Sequence, residues 1–401
     1  MRSTSTVTIH LPSIDRNVAA IRDLVGPSCG VCAVVKADGY GLGAGRVAQQ
    51  LAASGVSMLA VYSLAQAESI ADAGVTLPML VLMPVREVEL GGAAHRLLIT
   101  GRLHLTVHSL SHAEGLAAMA ERLGGGPVPV HLEVDTGMSR GGSLPEDAAR
   151  ALAFIAGEGR LRLTGLFTHF SDSRLDPELT AAQLNGLDAL LSRCAESIPS
   201  DVVIHAANSH ALARGARFHR TMVRVGLAWT GLADPGVEGV VSWTSSIVHV
   251  KEIPTGTPVG YGSKWRAARP TRVAVIPVGY FDGYPLGGAD SESRFVSIGS
   301  RDAMVIGAVN MDQIVVDITG IEPSRSSDDG FIGRTVELYG GDRAKGNFIP
   351  RLAEAVGAHA YELLCRIHPR IPRQFVAAPA VAPRIEAIPP VAGSLQGAIA
   401  S

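Results

Sequence analysis

Lys36 is the first residue whose type and position suggest covalent or acid–base chemistry. It follows the apolar run of residues 31–35 and begins a glycine-rich segment that continues through residues 37–43. A lysine amine becomes a nucleophile and a base once burial or neighbouring cations lower its pKa. Glycines beside it allow the backbone to approach a ligand closely. Because a lysine at a strand end is more often a solvated surface residue, Lys36 is a functional candidate only in combination with other residues.

Further hydrogen-bonding side chains follow other apolar runs in the N-terminal half of the chain. Taken singly, each has a structural explanation: a histidine can be a satisfied core residue, an arginine an ion-pair partner and a serine a helix N-cap. If the runs are strands of one barrel, however, these side chains line a single mouth, where small residues after the last two strands suit a phosphate group. The candidates are Glu133, Asp135, Arg140, Thr168, His169, His205, Asn208, Ser209, Arg224, Gly226 and Leu227.

Eight apolar runs of strand character alternate with helical patterns in this half of the chain. Glycines close several of the helical patterns, as at Gly74, Gly124 and Gly157. Eight strand and helix units over about 200 residues fit a (β/α)8 barrel, in which functional loops leave the C-terminal ends of the strands. A doubly wound sheet is the alternative. The predicted strands are residues 31–35, 57–62, 79–83, 104–107, 128–134, 161–167, 202–205 and 222–225.

The pattern changes at about residue 240. Alternation rich in Thr and Val, divided by Gly, Pro and Asp turns, predicts a mostly β domain. Its predicted strands are residues 245–251, 271–277, 295–298, 304–309, 314–318 and 336–339. We therefore expect residues 1–12 to form a strand that joins the β domain, 13–236 the barrel, 237–376 the β domain and 377–401 a loosely ordered tail rich in Ala and Pro.

Composition excludes several classes of protein. Of the 401 residues, 47% are hydrophobic, which is enough for a large core. The 35 Lys and Arg against 37 Asp and Glu give a formal charge of -2, which does not favour nucleic acid. No uncharged apolar run reaches the roughly 18 residues needed to span a bilayer. Together with only four cysteines, these features predict a soluble cytoplasmic protein without nucleic-acid or membrane partners.

Several segments, in order along the chain, resemble motifs of the alanine racemase family. Residues 35–43 resemble its pyridoxal-phosphate lysine motif, and residues 134–140 resemble its Val-Asp-Thr-Gly-Met segment ending in Arg. So many motifs in the family's order leave little room for chance. Further similar segments are residues 168–170, 208–209, 224–232, 259–262, 277–285, 311–313 and 361–372, so the resemblance covers about residues 7–375.

The resemblance implies a barrel that binds pyridoxal 5'-phosphate, a β domain and a head-to-tail homodimer with shared active sites. It makes Lys36 the cofactor-binding lysine and one of two groups that exchange the α-proton of alanine. The second group, on the opposite face of the carbanion, would be Tyr261, supplied by the other subunit. Because unperturbed tyrosine has a pKa of about 10, the resemblance assigns His169 and Arg224 to assist it. Arg224 would also face the pyridine nitrogen, where a guanidinium cannot readily give up a proton, so transamination is suppressed.

The same resemblance assigns the remaining site residues. Hydroxyls and backbone N–H groups would hold the phosphate, while Arg140 would contact the phenolic oxygen of the cofactor near the substrate carboxylate. No metal is implied, and the CxxC spacing of Cys29 and Cys32 lacks the second pair of a metal site. Cofactor-binding candidates are Lys36, Tyr40, Arg140, His169, Asn208, Ser209, Arg224, Gly226, Leu227 and Tyr361, and substrate-binding candidates are Arg140, Tyr261, Tyr280, Met311 and Asp312.

The sequence departs from the family pattern at several positions. Glu133 stands where members commonly have a carbamylated lysine, and its carboxylate is expected to orient Arg140 directly or through water, with no carbamate. Asp38 replaces the usual Asn and puts an extra negative charge near the phosphate. Trp229 and Asn310 also differ. Since one methylene in a pocket is worth only about 1 to 3 kcal/mol, a change at Asn310 leaves the choice among small amino acids open.

The leading function is therefore pyridoxal-phosphate-dependent racemisation of alanine. A racemase that prefers serine or a broader set of small amino acids is the alternative in the same site. A barrel-type decarboxylase is disfavoured, because those enzymes face the ring nitrogen with an acid whereas this chain has Arg224. A cofactor-binding protein without catalysis would have no need of a second acid–base group such as Tyr261.

Overall fold

The structure is a computed structural model that describes residues 4–233, 236–287, 294–323 and 330–377. Apart from its first residue, the tail expected at residues 377–401 lies outside the described residues. The N-terminal half is a closed barrel of eight strands, β2 to β9, with parallel neighbours throughout. This confirms the (β/α)8 barrel, and the doubly wound alternative is wrong. The strands are β1 (Thr6–His10), β2 (Gly30–Val34), β3 (Met58–Val61), β4 (Met79–Val81), β5 (Leu103–Val107), β6 (Val128–Glu133), β7 (Leu161–Phe167), β8 (Val203–His205) and β9 (Met222–Val225).

The barrel strands are recognisable in the sequence because both of their faces are covered. All residues of β3, β4 and β5 are buried, so these strands read as unbroken apolar runs rather than as alternation. The surrounding helices are α1 (Leu11–Val25), α2 (Lys36–Gly41), α3 (Ala44–Ala53), α4 (Leu64–Asp72), α5 (Ala93–Ile99), α6 (Leu110–Leu123), α7 (Pro145–Gly157), α8 (Pro177–Arg193) and α9 (Ala216–His219).

Side-chain caps fix the starts of three of these helices. A Ser or Asp oxygen before the helix accepts an otherwise unpaired N–H of the first turn, an interaction worth about 1 kcal/mol. The helix then turns its apolar face to the barrel. The caps are Ser63, which accepts from the N–H of Gln66, Ser109, which accepts from that of His112, and Asp176, which accepts from that of Leu179.

The C-terminal half contains a nine-stranded sheet in the order β11-β14-β17-β16-β15-β18-β10-β1-β19. β1 lies inside this sheet, antiparallel to β10 and parallel to β19. The separate pair β12-β13 completes the strands. The elements are β10 (Val241–Ser246), β11 (His249–Ile253), β12 (Pro258–Val259), β13 (Trp265–Arg266), β14 (Thr271–Ile276), β15 (Phe295–Ile298), β16 (Arg301–Ile306), β17 (Ile314–Asp317), β18 (Thr335–Tyr339), α10 (Ile349–Ala355), α11 (Ala360–Arg366) and β19 (Arg373–Val376).

One predicted strand of the β domain is wrong. Residues 245–251 are not one strand, because the chain changes partner between Ser246 and His249. β10 pairs with β18, whereas β11 pairs with β14. Between the two strands, the N–H group of Ile247 donates to Arg334 O, next to β18, and that of Val248 donates to Val275 O of β14. Alternation of side chains cannot reveal such a change, because both strands keep the same period.

The last helix of the described residues, α11, returns to the barrel. Tyr361 on α11 stacks on Tyr40 of α2 with ring centroids 4.3 Å apart. Arg373 Nε donates to the carbonyl oxygen of Gly41 at 3.0 Å. The C-terminal half therefore holds α2, the segment that follows the first barrel strand, β2. Among the described helices, none combines the length and the apolar character that a bilayer crossing requires.

Candidate active site

The segment that carries Lys36 has an unusual backbone. Residues 37 to 40 of α2 all have positive φ, from 52° at Ala37 to 62° at Tyr40, so the segment is a left-handed turn and not a right-handed helix. Such a conformation costs about 1 to 2 kcal/mol for each residue other than glycine. Backbone bonds from Gly39 N to Val35 O and from Gly43 N to Asp38 O, both 3.0 Å, hold it. The turn places Lys36 and Tyr40 on the same cavity.

The carboxylate of Asp38 is used within this turn. Its Oδ1 accepts the first N–H of α3, from Ala44, at 2.7 Å. Its charge also raises the pKa of Arg373, although burial of that guanidinium has the larger and opposite effect. The negative charge expected near a phosphate is thus committed to a helix N-terminus, where it is favourable.

A cavity of about 730 Å³ lies at the C-terminal ends of the barrel strands. Its size suits a cofactor together with a small substrate. All ten residues predicted to bind the cofactor line it, although they come from six separate stretches of sequence. They are Lys36, Tyr40, Arg140, His169, Asn208, Ser209, Arg224, Gly226, Leu227 and Tyr361.

One wall of the cavity is rich in hydrogen-bond donors. The N–H groups of Gly226 and Ala228 point at the hydroxyl of Ser209, at 3.1 and 3.0 Å. The side-chain oxygen of Asn208 instead accepts from the N–H groups of the turn that follows it and from Ser173 Oγ at 2.6 Å. Asn208 therefore shapes this loop, while Ser209 and the backbone supply the donors.

Two tyrosine hydroxyls meet these donors at Gly226. A Cβ at Gly226 would lie 2.1 Å from Tyr40 Oη and 2.6 Å from Tyr361 Oη, so only glycine fits there. The Tyr361 hydroxyl hydrogen-bonds with Tyr40, with Ser209 and with the backbone of Leu227. Burial raises the pKa of both tyrosines, which keeps them protonated. Hydroxyls and N–H groups converging without a carboxylate fit a phosphate dianion.

Lys36 lies in a cationic environment. Burial, followed by the charge of Arg140, lowers the pKa of its amine; Cys365 has a smaller opposite effect, and Arg224 lowers the pKa further by the smallest amount. Both causes disfavour the ammonium form. The amine is thereby poised to act as a nucleophile and as a base.

Arg224 is buried and contacts two histidines. Its Nη1 lies 2.9 Å from His205 Nδ1, and its Nη2 donates to Thr168 O at 3.1 Å and lies 3.0 Å from His169 Nδ1. Its guanidinium carbon lies 4.7 Å from the ring centre of Phe167. Burial and then Arg224 lower the pKa of His169 to about 3, so His169 is neutral at physiological pH. With Arg224 donating to Nδ1, the hydrogen of neutral His169 resides on Nε2.

Glu133 was expected to orient Arg140 directly or through water, and the direct contact is absent. No bond joins these two side chains within the described ranges; instead, Glu133 Oε2 lies 3.0 Å from His108 Nδ1. A carboxylate at the end of β6 reaches a histidine one strand away more readily than Arg140, which lies beyond a turn with a positive φ at Ser139. Glu133 still acts on the site, since its charge raises the pKa of Arg224.

Sequence reasoning missed several lining residues, among them His108 and Cys365. His108 directly follows β5, and His169 is the second residue after β7, so the position of His108 at a strand end was the available signal. Cys365 lies in the segment 361–372 already singled out, but a lone cysteine carried no chemical argument. Cys32, by contrast, is fully buried in the barrel, and burial raises the pKa of its thiol to about 12.

Four predicted substrate-site residues do not line this cavity. They lie on the β half of the chain, and their side chains are exposed: Tyr261 is 79% exposed, Met311 53% and Tyr280 41%. Asp312 is also exposed and pairs with Arg370 at 3.4 Å. One chain therefore holds the cofactor residues together and presents the four others at its surface.

Comparison with known proteins agrees with the fold. Residues 9–234 match the family "Alanine racemase, N-terminal domain" and residues 240–375 match "Alanine racemase, C-terminal domain". An alanine racemase of Chlorobaculum tepidum is 34% identical over 383 residues, covering 93% of this chain and 95% of the relative. One of Synechocystis is 32% identical over 390 residues, covering 94% of this chain and 100% of the relative.

Solved structures show the same architecture. An alanine racemase from a D-cycloserine-producing Streptomyces lavendulae superposes with a TM-score of 0.82 at 26% identity, covering 94% of this chain and 98% of that chain. One from Streptomyces coelicolor gives a TM-score of 0.81 at 29% identity, covering 93% and 98%. The fold is also shared with a Bartonella henselae alanine racemase that has covalently bound pyridoxal phosphate, at 22% identity, a TM-score of 0.78 and coverage of 93% and 100%.

Proposed function

This chain belongs to the alanine racemase family and is a pyridoxal-phosphate-dependent racemase of alanine, and we propose that Lys36 and Tyr261 of the partner subunit are its two acid–base groups. The observation that carries the residue assignment is the single cavity that unites Lys36 with the hydroxyl and N–H cradle around Gly226. When bound, the cofactor supplies the electron sink for negative charge at the substrate α-carbon.

The cavity residues divide the work of holding the cofactor. Tyr40, Ser209 and Tyr361, with the N–H groups of Gly226 and Leu227, bind the phosphate. Lys36 would supply the amine that binds the cofactor covalently, and Arg224 would be the residue beside the ring nitrogen. Because a guanidinium releases its proton reluctantly, Arg224 would not protonate that nitrogen, which would favour racemisation over transamination.

Lys36 moves the α-proton on one face of the substrate. A base must be unprotonated to accept a proton, and the lowered pKa of Lys36 raises the neutral fraction of its amine. Arg140, whose charge contributes to that shift, is also the group that we assign to the substrate carboxylate, through its fork of donors. The residue that activates the base thereby also positions the substrate.

Tyr261 moves the proton on the opposite face. Its exposure on its own chain favours a role in a neighbouring subunit's cavity, together with Tyr280, Met311 and Asp312. Neutral His169 has its hydrogen on Nε2, so it can stabilise a phenolate by donating to it. We accordingly propose a homodimer in which each site combines a barrel from one subunit and the β domain of the other.

An enantiomer-resolved assay tests the function. The purified protein, loaded with pyridoxal 5'-phosphate, is given L-alanine and L-serine in parallel, and each D-product is followed by chiral chromatography. We expect D-alanine to form, and to form faster than D-serine. Cofactor binding without any D-alanine would contradict racemisation of alanine, and with it the roles assigned to Lys36 and Tyr261.

The shared site is tested by mixing two inactive variants. Lys36→Ala and Tyr261→Phe chains with different affinity tags are co-expressed, and the mixed dimer is purified. In a shared-site dimer one site receives both substitutions and the other neither, so about half of the wild-type activity returns. If each site closes within one chain, the mixed dimer stays as inactive as its parents.

We propose the domain division at residues 1–12, 13–236, 237–376 and 377–401, with the first segment joining the third. The pairing of β1 with β10 and β19 supports the assignment of residues 1–12. We also propose a cytoplasmic location, for which the four free cysteines of the described chain argue, because thiols persist in a reducing compartment.

A further inference from the structure

Three histidines form a continuous line through the interior of the barrel. His205 Nε2 lies 3.0 Å from His131 Nδ1, and His131 Nε2 lies 3.0 Å from His104 Nδ1. At its upper end the line meets Arg224, whose Nη1 lies 2.9 Å from His205 Nδ1. The line runs down from the last residue of β8 at the cavity, through the middle of β6, to the start of β5.

The hydrogen bonds of this line can point in only one direction. A guanidinium has donors and no acceptor, so Arg224 donates to His205 Nδ1, and neutral His205 must bear its hydrogen on Nε2. His205 then donates to His131 Nδ1, which forces the hydrogen of His131 onto Nε2, and the same argument applies to His104. The line ends where His104 hydrogen-bonds with the backbone of Gly101.

All three histidines are neutral, as this argument requires. Burial lowers the pKa of His131 and His205 well below the usual value and that of His104 to about 4. The neighbouring strand is also shaped around them. A Cβ at Gly165 would lie 2.2 Å from His131 Nδ1, so glycine is required there. Polar side chains in a barrel core are costly unless each is satisfied, which argues for a use beyond packing.

We propose that His104, His131 and His205 form a directed hydrogen-bond chain that positions Arg224 against the cofactor ring, with His131 and His104 as positioning residues that touch neither cofactor nor substrate. This inference rests on the proposed role of Arg224. Nη1 is fixed by the chain, while Nη2 is fixed by Thr168 O and His169 Nδ1. The guanidinium is thereby held in one plane. Each imidazole of the chain turns its acceptor nitrogen, Nδ1, toward the cation and its N–H group away from it.

The tautomers are measured first, in the unaltered holoenzyme. In protein with 15N-labelled histidine, the chain predicts that His104, His131 and His205 each show an unprotonated Nδ1 and a protonated Nε2 at pH 7.5. Assignment follows from the loss of one pair of signals in each single variant. A protonated Nδ1 at His205 or His131, or mixed tautomers at either, would overturn the directed chain, whether or not the enzyme is active.

Two substitutions at His131 then separate positioning from packing. Gln can accept through its carbonyl and donate through its amide, so His131→Gln keeps the chain, whereas His131→Phe keeps a ring and breaks it. We expect His131→Phe to lower kcat about tenfold, to shift the absorbance maximum of the bound cofactor and to raise the ratio of transamination to racemisation. His131→Gln should restore most of the kcat and the wild-type spectrum.

The matched control is His219→Phe. His219 is as buried as the chain histidines and donates to Leu212 O at 2.8 Å, but it does not line the cavity. We expect its spectrum and product ratio to equal those of the wild type. If His131→Phe and His219→Phe alter stability alike while spectrum and product ratio stay unchanged in both, the positioning role is refuted. That result leaves the proposed racemisation untouched, because the latter fails only if the wild-type holoenzyme makes no D-alanine.

Discussion

Tyr261 is the residue on which the two-base assignment depends. Its ring is exposed on its own chain, and the cradle and Lys36 lie in the barrel cavity. We expect Tyr261→Phe to retain the cofactor absorbance but to lose exchange of the α-proton from one enantiomer by at least about a hundredfold more than from the other. The measurement is α-proton exchange in deuterated water, by NMR, for each enantiomer separately. Tyr280→Phe is the comparison variant. Similar small losses for both enantiomers in Tyr261→Phe would refute the assignment.

Gly226 controls access of the phosphate to its donors. A methyl group there would meet Tyr40 Oη at 2.1 Å, and crowding of this kind typically costs about 1 to 3 kcal/mol. We therefore expect Gly226→Ala to weaken pyridoxal-phosphate binding by about tenfold or more, measured by fluorescence titration of the apoprotein. Gly115→Ala is the control, because nothing lies within 4 Å of a Cβ at this exposed helical position. Equal affinities for the two variants would remove Gly226 from the phosphate site.

At the scale of elements, the left-handed turn after β2 depends on the cap that Asp38 gives to α3. Asp38→Ala leaves the Ala44 N–H without its acceptor and should lower the free energy of unfolding by about 1 kcal/mol. Asp38→Asn keeps an acceptor oxygen and should retain most of that stability. Urea denaturation of the three proteins is the measurement. A loss in Asp38→Asn as large as in Asp38→Ala would show that the charge, through Arg373, matters more than the cap.

The elements differ in how far the sequence predicts them. Barrel strands such as β3 and β5 are buried on both faces, so their unbroken apolar runs are visible without a structure. The turn at residues 37–40 is not visible, because Ala37 and Tyr40 adopt a conformation that their side chains disfavour and that only tertiary contacts enforce. The division of residues 245–251 into two strands was missed for a similar reason, since strand partners lie far away in the chain.

The site shows the same division between local and distant information. Strand-end positions and family motifs point to Ser209 and Gly226, because these residues are ordered along the sequence as the barrel strands are. Tyr361, on α11, was expected from a family motif alone. The contact of Glu133 with His108 was not predicted, because it depends on the register between β5 and β6. The chain from His205 to His104 was not predicted either, because it requires knowing which strand residues face the barrel interior.

At the scale of the whole molecule, buried neutral histidines make stability depend on pH. His104, His131, His169 and His205 all have a lower pKa folded than unfolded, so below about pH 6.5 the unfolded chain binds protons that the folded chain rejects. Each removes up to about 1.4 kcal/mol of stability per pH unit as the pH falls toward its folded value, about 4 for His104 and about 3 for His169.

We accordingly expect the thermal midpoint to fall steeply between pH 6.5 and pH 5, before most carboxylates titrate. Replacing His131 by Gln removes one group that takes up a proton on unfolding. The fall of the thermal midpoint should then be shallower, measured by calorimetry across that range. The exposed His249→Gln is the control. Identical slopes in all three proteins would mean that the barrel histidines do not govern acid sensitivity.

The position of β1 between β10 and β19 has a consequence for how the chain folds during synthesis. The strand Thr6–His10 leaves the ribosome before every strand of the barrel, yet its partners begin at Val241 and Arg373. The barrel strands can close once β9 has emerged, whereas one backbone edge of β1 must wait for β10 and the other for β19, near the end of the described residues. Contacts this distant in sequence form slowly, and an unpaired strand edge invites other chains. The interval between barrel closure and completion of the sheet is therefore when the nascent protein is most exposed to aggregation, and a chaperone that binds extended N-terminal segments would protect it best.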